Sequence, residues 1–132
     1  LLAACRSRNA VTAVSTDGYP DVQRAKTASL DLDRHVDHVL YCRDVDGSSH
    51  PKPDSVPFVH LQETLAVPPS RILFVGDAPA RDFPAPDGLG WGTIRVRYPG
   101  AYHRDDVDPN PGRVVVESVE ALRDRIEAFV GR

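Results

Sequence analysis

The chain has 132 residues, of which 41% are hydrophobic and 27% charged, and its formal net charge is −3. These values predict one globular domain with a buried core and exclude an intrinsically disordered chain. The acidic balance argues against general nucleic-acid binding, and no apolar run is long enough to span a membrane. The isolated cysteines Cys5 and Cys42, with the lack of a signal-peptide pattern, favour a reducing, cytoplasmic compartment.

Helices and strands alternate along the predicted structure. In chain order, the sequence predicts a helix end at 1–7, a strand at 10–15, a helix at 21–30, a strand at 39–42, a helix at 56–65, strands at 72–75, 92–96 and 114–116, and a final helix capped by Ser118. Because strands that alternate with helices form right-handed βαβ units, we expect one doubly wound α/β domain with a parallel sheet over residues 1–132.

The spacing of side chains predicts which faces of these elements are buried. Val22, Ala25 and Leu30 lie roughly on one side of the first long helix and predict its inner face. The third strand is apolar throughout, which predicts burial on both faces. Arg95 and Arg97 alternate with apolar residues in the fourth strand, and this pattern predicts a polar face on an edge or partly exposed strand.

Polar residues follow three of the predicted strands. They are Thr16, Asp17 and Gly18 after the first strand, Lys52 in the loop beyond the second, and Asp77 and Asp82 after the third. Because the carboxyl ends of parallel strands meet at one edge of a sheet, we expect these residues to share a crevice. Hydroxyl and ammonium groups bind phosphoryl oxygens, and carboxylates hold Mg²⁺. The set therefore suits a phosphate group and a divalent cation.

The same segments resemble the motifs of the haloacid dehalogenase-like (HAD) hydrolase superfamily, and the likeness covers nearly the whole chain. Val14-Ser15-Thr16-Asp17-Gly18 is similar to the second motif, a strand that ends in Ser or Thr. Lys52-Pro53-Asp54 is similar to the third motif. Val75-Gly76-Asp77 with Asp82 is similar to the fourth, which reads Gly-Asp, four residues, Asp. The subgroup suggested has a helical cap between the first and second motifs and includes small-metabolite phosphatases.

The resemblance implies a Rossmann-like core and a Mg²⁺-dependent phosphohydrolase that acts on a small phosphorylated metabolite through an aspartyl-phosphate. Thr16 would hydrogen-bond the transferring phosphoryl group, and Lys52 would neutralise its charge and that of the nucleophile; these two would be the catalytic residues. The implied substrate-binding residues are Thr16, Asp17, Gly18 and Lys52, and the implied metal ligands are Asp77 and Asp82. Asp82 would either belong to the metal site or support Lys52.

The family's first motif, which supplies the nucleophilic aspartate, is not found before Thr16. We expect the nucleophile upstream of Leu1, and the absence of Met also predicts a fragment that lacks the first strand and the cap. Two Asp-x-Asp sequences, Asp44-Val45-Asp46 and Asp31-Leu32-Asp33, occur in the wrong place for this motif. The first of them is better explained as a solvated turn than as a nucleophile.

Three residues depart from the family pattern. Asp17 replaces the commoner Asn and adds negative charge near the phosphate site. Pro84 and Pro86 predict a short, late or irregular helix after Asp82. These departures leave open a catalytically degenerate domain that serves in binding or assembly, or another doubly wound domain such as a response regulator. We expect a small phosphorylated substrate and neither a nucleic-acid nor a membrane partner, while the substrate and the oligomeric state stay open.

Overall fold

A computed structural model describes all 132 residues and has the alternating helices and strands that the sequence predicts. The helices are α1 (Leu2–Arg6), α2 (Pro20–Ser29), α3 (Val56–Leu65), α4 (Pro79–Asp82), α5 (Pro84–Leu89) and α6 (Val119–Val130). The strands are β1 (Ala13–Thr16), β2 (His38–Tyr41), β3 (Leu73–Gly76), β4 (Gly92–Val96) and β5 (Val114–Val116). No helix has both the length and the apolar character that crossing a membrane requires.

The strands form two parallel sheets rather than the single sheet that we expected. β1 pairs only with β2, and in the second sheet β4 lies between β3 and β5. The α/β class and the parallel pairing are confirmed, but β1 and β3 each have one edge without a strand partner. All four residues of β3 are consequently only half-buried. Both faces of this strand nevertheless make the predicted apolar contacts, with Phe74 packed against one hydrophobic cluster and Leu73 and Val75 packed against another.

Helix α3 joins the two sheets through the main hydrophobic core. Phe58 on α3 is fully buried and meets the rings of Phe74 and Trp91 edge-on, with centroids 5.4 and 5.8 Å apart. The buried members of this core are Leu40, Cys42, Val45, Phe58, Leu61, Ile72, Ala85 and Trp91. Leu40 belongs to the first sheet, whereas Ile72 and Trp91 directly precede strands of the second sheet. Helix α3 therefore holds the two sheets together by apolar contact.

Two predicted faces are wrong. Helix α2 has no buried residue, and Val22 and Leu30 are 50% and 67% exposed, because nothing in the chain packs against that face. Arg95 is only 3% exposed, since β4 is the central strand of its sheet and the loop after it folds over the guanidinium. The Arg95 Nη2 atom donates to the carbonyl oxygens of His103 and Asp106 at 2.9 and 2.8 Å.

The helix after Asp82 is interrupted, as the two prolines predict. Phe83 separates α4 from α5, and Pro84 and Pro86 both lie in the first turn of α5, where a missing N–H costs no helical hydrogen bond. Arg113, whose side chain is 2% exposed, lies 3.8 Å above the Phe83 ring and pairs with Asp87 of α5 at 2.8 Å. These contacts fix the segment that follows Asp82.

We expect Phe58→Ala to lower the free energy of unfolding by about 3–5 kcal/mol, because it removes a fully buried ring from the hydrophobic cluster that the two sheets share. Val59→Ala is the matched control, since Val59, the neighbour of Phe58 on α3, is 36% exposed and its substitution should change stability by less than about 1 kcal/mol. Urea denaturation followed by circular dichroism measures both. Equal effects of the two substitutions would contradict the role given to Phe58.

Candidate active site

The Asp82 carboxylate lies against the end of β3, which comes shortly before it in the chain. One carboxylate oxygen, Oδ2, accepts hydrogen bonds from the backbone N–H groups of Asp77 and Ala78 at 3.0 and 2.9 Å. A Cβ atom on Gly76 would lie 2.7 Å from the same oxygen, so only glycine permits this approach. The sequence Gly-Asp, four residues, Asp therefore places a buried carboxylate directly beside the strand end.

Lys52 forms an ion pair with this carboxylate. Its Nζ atom lies 2.6 Å from Asp82 Oδ1, and the two side chains are 13% and 6% exposed. Burial acts to raise the pKa of Asp82, but the Lys52 ammonium and the N–H groups of Ala78 and Asp77 outweigh it and hold that pKa below its ordinary value. The contact corresponds to the supporting role that the resemblance offered for Asp82.

Asp17 connects the end of β1 to the same cluster. Its Oδ1 atom accepts a hydrogen bond from the backbone N–H of Lys52 at 3.1 Å, and its Oδ2 atom forms an ion pair with Arg81 of α4. Arg43 Nε donates to the Asp17 carbonyl oxygen at 2.7 Å. The ends of β1 and β3 and the loop that carries Lys52 thus meet at one place, as the positions of these residues in the sequence predict.

Thr16 and Gly18 lie beside this cluster but contact helix α2. The Thr16 hydroxyl donates to Gln23 Oε1 at 2.8 Å. The Gln23 side chain lies across Gly18, where a Cβ atom would come within 1.9 Å of Gln23 Nε2. Glycine is therefore needed for the Gln23–Thr16 contact. A phosphoryl group that took its hydrogen bond from Thr16 would have to replace Gln23 as the acceptor.

Asp77 offers the carboxylate that best fits Mg²⁺. It is half-buried, and its side chain receives no hydrogen bond or ion pair from the protein, whereas both oxygens of Asp82 are already bonded. No group of three His, Cys, Asp or Glu residues is arranged to hold a metal. Mg²⁺ commonly takes one or two carboxylates, with water and phosphate oxygens as further ligands. The donor set fits that arrangement through Asp77, and a ligand role for Asp82 stays a prediction.

The Asp-x-Asp sequence after β2 forms a tight turn. Val45 and Ser48 exchange two backbone hydrogen bonds of 2.9 Å, and between them Asp46 and Gly47 have φ angles of +52° and +80°. Positive φ at both central residues is typical of a type I′ hairpin turn. Asp44, which precedes the turn, forms an ion pair with Arg24. The interpretation of this segment as a turn is confirmed, but the Asp44 carboxylate is in an ion pair and does not form the expected solvated Asx-type turn.

Arg81 and Arg43 belong to the cluster, although neither is among the site residues that the sequence predicts. A signal for Arg81 exists, because it directly precedes Asp82 in the fourth motif and the unusual Asp17 requires a cation to balance its charge. No such signal singles out Arg43, which lies in a polar loop whose path the sequence does not define.

A family model covers the part of the chain that contains these residues. A model of the haloacid dehalogenase-like hydrolase family matches residues 1–90, which contain every residue of the cluster. The chain belongs to this hydrolase family. No curated protein is significantly similar to it in sequence.

Solved structures of the superfamily have the same fold. A HAD phosphatase from Thermococcus onnurineus superposes with a TM-score of 0.72 at 21% identity, over 95% of this chain and 54% of that one. The L-2-haloacid dehalogenase from Xanthobacter autotrophicus, solved with chloropropionic acid covalently bound, gives 0.71 at 20% identity, over 95% and 57%. YfnB from Bacillus subtilis, solved bound to magnesium, gives 0.68 at 16% identity, over 93% and 52%. The chain thus spans about half the length of these proteins.

We expect Asp82→Asn to lower the free energy of unfolding at pH 7 by about 2–4 kcal/mol, because it leaves the Lys52 ammonium buried without its partner. A carboxyl whose pKa is depressed by folding stabilises the fold above its unfolded pKa of about 3.9, and this contribution disappears as pH falls through the folded pKa. The variant should therefore lose less stability than the unsubstituted protein between about pH 4 and pH 2.

Metal-free denaturation curves at several pH values measure this effect. Asp33→Asn is the control, because the exposed Asp33 side chain makes no ion pair and should leave the curve unchanged. An acid limb of equal steepness in the Asp82→Asn variant would show that the Lys52–Asp82 pair does not stabilise the fold.

Proposed function

We propose that this chain forms most of the active site of a Mg²⁺-dependent phosphohydrolase that acts in the cytoplasm on a small phosphorylated metabolite through an aspartyl-phosphate. The supporting observation is the single cluster in which Lys52 contacts both Asp82 and Asp17, next to the free carboxylate of Asp77. A fixed ammonium beside a carboxylate that fits Mg²⁺ is suited to phosphoryl transfer, which depends mainly on positioning and charge stabilisation.

Each side chain then has a distinct task. Lys52 binds phosphoryl oxygens and offsets their charge, while its bond to Asp82 keeps the ammonium in a fixed position. Thr16 donates a hydrogen bond to the phosphoryl group after it releases Gln23. Asp77 would hold Mg²⁺, which when bound would supply positive charge to stabilise the phosphoryl oxygens.

The nucleophilic aspartate would be carried by a strand that lies between β1 and β3. Both of these strands are parallel members of their sheets, and each has an open edge whose backbone groups can pair with a further strand. The carboxyl end of such a strand would lie next to Thr16 and Asp77, where attack on phosphate requires it. Water would then hydrolyse the aspartyl-phosphate.

The gene region upstream of Leu1 provides the most direct test. We expect it to encode an Asp-x-Asp sequence after an apolar strand, and we expect the protein that includes this segment to hydrolyse p-nitrophenyl phosphate only with Mg²⁺. The 132-residue chain alone should not do so. Mg²⁺-dependent turnover by the 132-residue chain would contradict the proposed position of the nucleophile.

Substitution of Lys52 should abolish most of this activity. In the active protein, Lys52→Met should lower kcat by about 100- to 1000-fold, the loss typical for one group that stabilises transition-state charge. Lys26→Met is a matched control, because Lys26 is the only other lysine and is exposed on α2.

Halide release from 2-haloacids without any phosphatase activity would contradict the phosphatase proposal and indicate a dehalogenase instead.

A binding or assembly module is the second candidate. It is favoured by Asp17, which puts a carboxylate where the family more often has an amide. A complete gene without an upstream Asp-x-Asp would support this candidate and contradict the enzyme.

A further inference from the structure

Asp17 has an unusual environment for a residue at the end of a strand. Its side chain is only 6% exposed, yet it lies in a region where the resemblance implies contact with an anionic substrate. Both carboxylate oxygens are engaged by the protein, Oδ1 by the backbone N–H of Lys52 and Oδ2 by Arg81. A substrate therefore finds no free oxygen on Asp17, and its negative charge would oppose phosphate if nothing balanced it.

We propose that Asp17 is a positioning residue that fixes the Lys52 backbone, and that Arg81 neutralises Asp17 so that an anion can bind beside it. This inference rests on the proposed function for the role of Lys52. It replaces the substrate-binding role that the resemblance implies for Asp17.

The geometry supports this assignment because the contacts form a closed ring. Lys52 is held at two points, since its backbone N–H bonds to Asp17 at 3.1 Å and its Nζ bonds to Asp82 at 2.6 Å. Arg81, the neighbour of Asp82 in the chain, closes the ring by pairing with Asp17. A lysine side chain has four rotatable bonds, so fixing both its backbone and its ammonium removes most of its freedom. The ring thus holds the Lys52 ammonium in place before any ligand binds.

The charges of Asp17 and Arg81 offset each other in this arrangement. Arg81 is half-exposed, so its ion pair with the buried Asp17 carboxylate leaves part of the guanidinium facing solvent. Arg43 Nε bonds to the Asp17 carbonyl and lies 3.9 Å from its carboxylate, which adds a weaker positive contribution. An asparagine at position 17 could accept the Lys52 hydrogen bond without needing either cation. Asp17 and Arg81 together reproduce that neutral arrangement.

Selective acetylation of the two lysines tests the positioning role without requiring any substrate. With limiting acetic anhydride, Lys52 should react at least about tenfold more slowly than the exposed Lys26, which serves as the internal reference in every sample. Asp17→Ala should raise the Lys52 rate by about fivefold or more, whereas Asp17→Asn, which keeps the acceptor oxygen, should stay within about twofold of the unsubstituted protein. Peptide mapping by mass spectrometry measures both rates.

The comparison of alanine with asparagine separates positioning from charge. Both substitutions remove the same negative charge, so an effect of charge alone would change Lys52 reactivity equally in the two variants. Equal rates in Asp17→Ala and Asp17→Asn would overturn the positioning role. If Asp17→Ala does not fold, Asp17→Ser removes the same acceptor geometry with a short polar side chain and should raise the Lys52 rate in the same way.

Protection of Lys52 by inorganic phosphate with Mg²⁺ tests the neutralising role of Arg81. Arg81→Gln should raise the phosphate concentration needed for half-protection by about three- to tenfold, because it leaves the Asp17 charge unbalanced. The double variant Asp17→Asn/Arg81→Gln should restore the original value. Arg71→Gln, a change of an exposed arginine without an ion pair, should have no effect. Unchanged protection in Arg81→Gln would overturn the neutralising role.

If the proposed phosphatase function is wrong, the phosphate experiment gives a result that differs from failure of the positioning role. If phosphate does not protect Lys52 even in the unsubstituted protein, the phosphatase proposal is contradicted. The acetylation rates without phosphate still decide whether Asp17 positions Lys52.

Discussion

The bond between Lys52 and Asp82 is the contact on which the arrangement of the site depends. Asp82 is held at the end of β3 by two backbone N–H groups, and Lys52 is held near the end of β1 by Asp17. The ammonium and the carboxylate therefore join the two halves of the fold at their functional edge. Because both side chains are almost completely buried, an isolated charge on either side would be unfavourable, and the pair forms as a unit.

The two sheets are connected in two places, by the polar cluster and by the hydrophobic core around α3. The hydrophobic cluster that contains Phe58 and Leu40 joins them by apolar contact, and the ion pair of Lys52 with Asp82 joins them at the strand ends. Between these two connections, the open edges of β1 and β3 have no strand partner. The backbone N–H and C=O groups along an unpaired edge can bond to another strand, so the fold is compatible with one further parallel strand between β1 and β3.

The sequence predicts those features that local patterns determine. The bounds of α3, β4 and β5 coincide with the prediction, and the Gly76 to Asp82 spacing correctly indicates a carboxylate next to a strand end. The expected lack of a first strand is consistent with the gap between the two sheets, but which strands border this gap depends on contacts between distant segments. The burial of Arg95 is not predictable for the same reason, since the loop that buries it lies eight to eleven residues further along the chain.

The site residues were easier to predict than their partners. Lys52 and Asp82 have defined positions within motifs, whereas the ion pair of Asp17 with Arg81 spans 64 residues and depends on the packing of α4 against the end of β1. A charged residue in place of a neutral one is nevertheless informative, because a buried charge requires a partner somewhere in the fold.

Charge balance gives a physical reason to consider metal and phosphate together. The cluster contains three cations, Lys52, Arg81 and Arg43, and three anions, Asp17, Asp77 and Asp82. Its formal charge is therefore zero. A phosphate dianion alone would leave this partly buried site strongly negative, and a divalent cation alone would leave it strongly positive, and either imbalance is costly where water is partly excluded. Among these six residues only the two ligands together preserve neutrality, which supports the proposed joint binding of Mg²⁺ and phosphate. The proposed nucleophilic aspartate would add one negative charge and strengthen the need for the cation.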